Sequence, residues 1–353
     1  MRRRLTLIRD VRYAVNVLRN GALYASLRWD TSSVPNVYSD KNGTIKSSMG
    51  GTFLYNPNVD YLSDELQPTI TINGKETPLG VYRITTYRDV IDETGHWVQI
   101  EAYDRSWKVK TVKTESIIHF SVGQSYITIV QQLLAAAGIG TVLATPSDAV
   151  LQTDREDWAA GTDYLTICNA LLAEINYNPL WFDANGTARV EPHKAPSADN
   201  IVWQYSKTDI RVRSPIRANI SQEHDIFSAP NVFVVVCSNP DLEEPMVARA
   251  ENNSPSSSIS IFRRGQRITQ YSKVDNIASQ SALQEYVDNL RNQSLLGTRT
   301  ITFHSLNEPG HGVGDIIAID HPNVGGIYEE TGWYIELKEG SMMKHTAKRA
   351  VIA

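Results

Sequence analysis

Residues 68–107 constrain the fold more than any other stretch of the chain. They read PTITINGKETPLGVYRITTYRDVIDETGHWVQIEAYDRSW. Three antiparallel strands are expected in succession, over residues 69–73, 80–89 and 96–103. Asn73-Gly74 closes the first, and Asp92, Glu93, Thr94 and Gly95 make the turn before the third. In the third strand Val98, Ile100 and Ala102 point one way, and Trp97, Gln99, Glu101 and Tyr103 the other, the two-residue period of a half-buried strand. A meander of this kind cannot bury both faces alone, so it must belong to a barrel or sandwich, or meet a second chain.

The chain has 353 residues, enough for two or three domains of ordinary size, and its 41% hydrophobic content can fill real cores. The net charge of -5 argues against a dedicated nucleic-acid binder. The charge is uneven: residues 1–20 carry six Arg and one Asp, which leaves -10 on the rest. The basic start reads as an arm or a solvated strand. The only two cysteines, Cys168 and Cys237, lie in apolar runs and read as small buried hydrophobes rather than a disulfide framework. No run is apolar enough to span a membrane, and the N-terminus lacks the apolar segment of a secretory signal. Synthesis in a cytoplasm is expected, with no stable membrane association.

Around the meander, residues 12–29 read as a hairpin about Asn20-Gly21, the pair that accepts positive φ most cheaply. Residues 52–55 add a short strand, bringing the first region to the five or six strands of a small closed barrel. The period then changes. Ile127, Val130, Leu133, Leu134 and Ala137 form a helical stripe over 123–138, with Ser125 as cap. Leu165, Cys168, Leu171, Leu172 and Ile175 repeat the device over 162–176. A hairpin about Asp183-Ala184-Asn185-Gly186 follows, and residues 192–200 read as a linker. Beyond it, strands are expected at 210–220, 231–236, 299–304, 314–320, 332–337 and 346–352. Residues 252–260 read as an exposed loop. One helix is expected at about 279–294, with Ser281 and Gln284 as a capping box. Gly95–Glu101 is echoed faintly by Gly332–Leu337, each leading into a basic segment. The fold class is mainly β with an α+β insertion: a first barrel over 1–110, an α+β domain over 111–200 and a second barrel over 201–353.

Little in the sequence points to catalysis. His304, His311 and His321 share a strand-rich region, but no Cys joins them at ligand spacing, so no metal residue is named. The glycines from Gly310 to Gly314 lead into a strand, where a phosphate loop leads into a helix. Asp154, Glu156 and Asp157 form an acidic loop without a pocket signal, and read as solvated or as a helix-start cluster. No nucleophile elbow or zinc-protease helix is present. Catalytic, cofactor-binding and metal residues are therefore all expected to be none.

A resemblance covers nearly the whole chain. Pro78-Leu79-Gly80-Val81-Tyr82, followed by Glu101-Ala102-Tyr103-Asp104, resembles the first barrel of bacteriophage tail hub proteins. So does the approach through Ser47-Ser48-Met49-Gly50-Gly51-Thr52-Phe53 and Val59-Asp60-Tyr61-Leu62-Ser63-Asp64. Later matches are Ala137-Gly138-Ile139, Ile175-Asn176-Tyr177-Asn178-Pro179-Leu180, Ala229-Pro230-Asn231-Val232, Arg263-Arg264-Gly265, and His311 with Gly314-Asp315. The similarity is to hubs of phages or phage-tail-like particles of Gram-positive hosts. It implies a homotrimer whose six barrels make a ring of pseudo-sixfold symmetry in a virion tail, used in penetrating the host envelope. It also implies a tail tube or distal tail hexamer on one side, a spike or fibre on the other, the tape-measure protein within, and DNA only in transit. Some members carry a C-terminal peptidase or lysozyme domain, for which this chain leaves no room. The face Trp97, Gln99, Glu101 and Tyr103 is the expected subunit contact, the alternative being that its aromatics, Trp97 above all, belong to the barrel core, and the -10 balance predicts an acidic channel that repels DNA. The readings from other classes are a tail-tip cell-wall hydrolase and a carbohydrate-binding distal tail protein.

Overall fold

Two Asn-Gly pairs set the first strands. In this computed structural model, which describes residues 9–349 apart from 195, 208–213, 217–219, 225–228, 239–244, 276, 278 and 296–298, Asn20 and Gly21 have φ of 53° and 78°. They join β1 (Val11–Arg19) to β2 (Ala22–Leu27). After β3 (Asn36–Asp40) and β4 (Ser47–Leu54), Asn73 and Gly74 repeat the turn with φ of 50° and 83°, between β5 (Glu65–Ile72) and β6 (Lys75–Pro78). Both residues of such a turn sit at positive φ, which Asn and Gly tolerate best. The last pair is β7 (Tyr82–Asp92) and β8 (Gly95–Asp104).

These strands pair in the order β3-β4-β8-β7-β5-β1-β2. A bridge between Trp29 and Phe53, with Leu54 N donating to Arg28 O at 2.7 Å, ties β4 back to the end of β2. The path thus closes into a ring. Inside it Val15, Val17, Phe53, Leu66, Ile70, Val98 and Ile100 are buried in one cluster. Trp333, Ile335, Leu337 and Met343, from the far end of the chain, complete the same cluster.

The α+β insertion follows. It runs α1 (Ser106–Thr111), α2 (Tyr126–Ala136), β9 (Val142–Ala144), α3 (Tyr164–Glu174), β10 (Trp181–Phe182) and β11 (Ala188–Val190). The apolar stripe expected over 123–138 is helical from Tyr126 to Ala136, and both stripes pack into one core with Leu151, Leu180 and Val190. Ser125 occupies the cap position of α2, but its side chain makes no capping bond. Asp163 caps α3 instead, accepting from Thr166 N at 2.9 Å. The basic stretch after Asp104 folds as α1, whereas its echo after Leu337 folds as a strand, so the two segments share pattern without sharing structure.

The remaining chain forms two layers. β12 (Ile201–Ser206), β13 (Ser214–Pro215) and β14 (Ser221–His224) come first. Most of the strand expected at 210–220 lies outside the described residues. Next, β15 (Val232–Ser238), β16 (Met246–Glu251), α4 (Ile261–Arg264), β17 (Thr269–Asp275) and α5 (Gln280–Leu295) make a separate three-stranded sheet, ordered β16-β15-β17, under one helix. Phe233, Val235, Ala248, Leu283 and Val287 form its own core. The chain then returns through β18 (Arg299–Ser305), β19 (Ile316–Asp320), β20 (Gly326–Glu336) and β21 (Met343–Arg349). The stretch read as a single unit over 201–353 therefore holds two apolar clusters.

Two local expectations change. Residues 252–260 are an exposed loop only in part: Asn253, Pro255, Ser256 and Ser258 are exposed, while Asn252 and Ser257 are buried and bonded to each other at 2.8 Å, and Asn231 Nδ2 donates to Ile259 O. Polar side chains satisfied inside the loop allow these positions to be buried. Ser281 does not cap α5; Ser279 Oγ accepts from Ala282 N at 3.2 Å, and Gln284 reaches Arg249 O.

β20 joins the two large assemblies. Its first half pairs with β19 through Ile316↔Glu329 to Ile319↔Gly326, and its second half pairs with β3 through Gly332↔Asp40 to Glu336↔Asn36. The pairing of β20 with β21 shifts register between Glu330 and Gly332, where the partner changes.

Candidate functional site

Two features stand apart from ordinary packing. The first is the outer face of β8. Val98, Ile100 and Ala102 point into the ring, while Gln99 and Glu101 are exposed and Trp97 and Tyr103 half-buried on the other side. Trp97 is thus not part of the ring core; its indole donates to Thr94 Oγ1 at 2.9 Å. β7 and β8 also outrun the ring. β7 meets β5 only at Glu65↔Arg83 and Leu66↔Tyr82, so among the described residues its remaining length has one unpaired edge. On this overhang Tyr87 is 42% and Ile91 75% exposed. Rings of Tyr87, Tyr61, Tyr55 and His96 stack in a row there, with Tyr55 and His96 4.0 Å apart. The sequence shows the alternation of β8 but not this overhang, because the reading ends β7 at Asp89.

The second feature is a buried polar cluster that the sequence reading does not assemble. His304, His311 and His321 are not brought together. Instead His311, from the loop before β19, and His345, on β21, converge on Glu330 of β20. His311 Nδ1 lies 2.6 Å from Glu330 Oε2, and His345 Nδ1 lies 2.5 Å from Glu330 Oε1. Tyr205 hydroxyl meets His311 Nε2 at 2.9 Å, and Ser305 Oγ meets His345 Nε2 at 2.8 Å. Trp203 stacks on the His311 ring at 4.3 Å and Phe303 on the His345 ring at 4.6 Å. Asp315 stands behind Trp203, accepting from its indole at 3.0 Å and from Gly312 N at 2.8 Å.

Burial alone would raise the Glu330 carboxyl, but the two imidazoles outweigh it and hold the group down to about 2. Burial would lower His311, and the Glu330 charge reverses this and raises it. For His345 burial prevails, and its value is lowered. Asp315, also desolvated, is raised. The only sequence signal was alternation: Tyr328, Glu330 and His345 fall on inward positions of strands whose outer residues are equally polar.

The acidic loop does not converge. Asp154 Oδ1 accepts from Val122 N at 2.7 Å, Glu156 pairs with His119 at 3.1 Å, and Asp157 pairs with Arg155. Nor does the loop start α3, which begins at Tyr164. Arg155 also bonds Glu174 at 2.9 Å, so the loop anchors the helix layer. Gly310 and Gly314, with φ of 100° and 77°, turn the chain into β19. Cys168 and Cys237 are both buried and are not joined in a disulfide.

No protein-family model and no curated protein matches the sequence. Solved structures do. A tail protein from Neisseria meningitidis MC58 superposes with a TM-score of 0.68 at 14% identity, over 96% of this chain and 97% of that one. A 43 kDa tail protein of prophage MuSo2 from Shewanella oneidensis gives 0.66 at 9% identity, over 96% and 98%. Prophage tail protein gp18 from Listeria monocytogenes EGD-e gives 0.58 at 12% identity, over 95% and 94%. The chain therefore has the mainly β fold of these phage tail proteins over 95–96% of its length. Hosts of both Gram types are represented among these structures, so the fold does not single out the Gram-positive type.

Proposed function

We propose that this chain is a structural hub in the tail of a bacteriophage or phage-tail-like particle. The observation that carries the proposal is the agreement with three tail proteins over 95–96% of this chain. In this reading three copies form a ring in which the strand assemblies of 1–110 and 201–353 alternate, with the α+β domain of 111–200 between them. The ring joins a hexameric tail tube or distal tail protein to a threefold spike or fibre, with the tape-measure protein and DNA passing through an acidic channel. The role is not enzymatic: Asp154, Glu156 and Asp157 each serve a separate structural bond, and the convergent cluster about Glu330 is sealed by aromatic rings.

Supporting the assembly is the unpaired edge of β7 beside the outward face Trp97, Gln99, Glu101 and Tyr103. Strand edges are normally covered, and interfaces favour Trp and Tyr. The test is the double variant Gln99→Arg with Glu101→Arg. Native circular dichroism with loss of the trimer mass and of particle assembly is the expected result. If trimer and particle both persist, this face is not the contact. Purified protein is further expected to leave peptidoglycan turbidity unchanged; clearing would argue for a tail-tip hydrolase.

A further inference from the structure

The hydrogen atoms around Glu330 identify what the cluster holds. Ser305 Oγ gives its one hydrogen to Leu306 O at 2.7 Å. Against His345 Nε2 it can then only accept, so this ring carries a hydrogen on Nε2. The Tyr205 hydroxyl meets His311 Nε2 at 2.9 Å, where either atom can be the donor. Both Nδ1 atoms face carboxylate oxygens at 2.5–2.6 Å. In the His345 ring, already a donor at Nε2, a neutral tautomer would set the Nδ1 lone pair against a carboxylate lone pair, so a proton or a cation lies between them. A divalent cation held by both Nδ1 atoms and Glu330 supplies that charge and leaves both buried rings, with centroids 5.3 Å apart, neutral.

We propose that His311 Nδ1, the Glu330 carboxylate and His345 Nδ1 form a structural site for a divalent transition-metal ion of the zinc class. Two imidazoles and a carboxylate are a borderline nitrogen and oxygen donor set, suited to zinc rather than to calcium or magnesium. The ligand atoms already lie within 4.8 Å of one another. Both remaining ring nitrogens meet hydroxyls, of Tyr205 and Ser305, the outer contacts that orient metal-bound histidines. Tetrahedral coordination spaces neighbouring ligand atoms roughly 3.3 Å apart, so loading opens the present contacts by a fraction of an ångström. The ion pins the loop before β19, β20 and β21 together at the register shift where β20 changes partner. The inference does not depend on the assembly reading.

The test uses the full chain. Metal content is measured after purification without chelator, and cobalt(II) and zinc are then titrated into chelator-stripped protein. About one ion per chain, visible ligand-field bands from cobalt and a zinc-dependent rise in melting temperature of several degrees are expected. His345→Gln should abolish the cobalt bands, while His304→Gln, a nearby histidine outside the cluster, should keep them. Nitrogen-15 imidazole spectra of the unsubstituted protein provide a second readout that is independent of any folding defect in His345→Gln. Two rings whose Nδ1 signals move from protonated to metal-bound positions on zinc addition support the site. No cobalt bands, no melting shift and two rings that stay imidazolium with zinc present overturn it.

Discussion

The two large strand assemblies fill their interiors by opposite means. Inside the first ring, Val98, Ile100 and Ala102 of β8 meet Phe53, Leu66 and Ile70, and its buried carboxylates lie at strand ends: Asp64 on Arg19, Glu65 on Arg105 and Lys108, and Asp104 on the backbone N–H of Ser47 and Ser106. The second assembly places Glu330 on the corresponding inward position of β20 and closes two histidines over it. An apolar core is a sum of many small contacts, so it degrades by increments. A desolvated carboxylate is tolerated only while its partners are in place, so this core works as a unit.

The sharpest way to break the contrast is Glu330→Ala. It leaves two imidazoles without their shared acceptor and is expected to cost about 3–5 kcal/mol, read as a lower urea midpoint or as loss of soluble protein. A cost below about 1 kcal/mol would mean that the polar core is dispensable. Next in size is Gly186→Ala, where the α+β hairpin seats on the first ring. Gly186 has φ of 73°, an added Cβ would lie 2.8 Å from Val81 Cβ, and Arg105 donates to Gly186 O at 2.9 Å. About 2 kcal/mol is expected, from backbone strain plus overpacking. Ile100→Val tests the apolar side and should cost only about 0.5–1.5 kcal/mol; a larger loss would show that the ring, too, fails as a unit.

The smallest effect is expected from acid. Burial would raise Glu65, but bonds from Arg105 at 2.7 Å and Lys108 at 3.0 Å outweigh it and hold its carboxyl below the ordinary 4.5. A carboxyl depressed in the folded state contributes fully above its unfolded value and loses that contribution as pH falls through the folded one. Melting temperature should therefore decline below about pH 4.5, and Glu65→Gln should flatten the decline. A decline unchanged by Glu65→Gln would place the acid-sensitive groups elsewhere.

What the sequence discloses follows the same division. Asn20-Gly21 and Asn73-Gly74 mark their turns because a positive φ is a local demand. The stripe from Ile127 to Ala137 marks α2 because burial on one face imposes the helical period. The alternation of β8 separates its two faces correctly. By contrast, β20 is read from Gly332 only, since Tyr328-Glu329-Glu330 has the look of a solvated segment until His311 and His345 arrive from elsewhere in the chain. Ser279 is missed as the α5 cap because Ser281 and Gln284 imitate the motif two residues on. Contacts across a sheet leave no mark on the spacing of the residues that make them.

One consequence concerns the order of events during synthesis. All the strands of the first ring have been made once the ribosome passes Asp104. Their shared interior nevertheless waits for Trp333, Ile335, Leu337 and Met343, and β3 waits for the second half of β20. Until then the nascent ring has an open strand edge and an unfilled apolar interior, the features that recruit chaperones or promote mispairing between neighbouring chains. Filling the ring is a late step, completed only when β20 and β21 arrive.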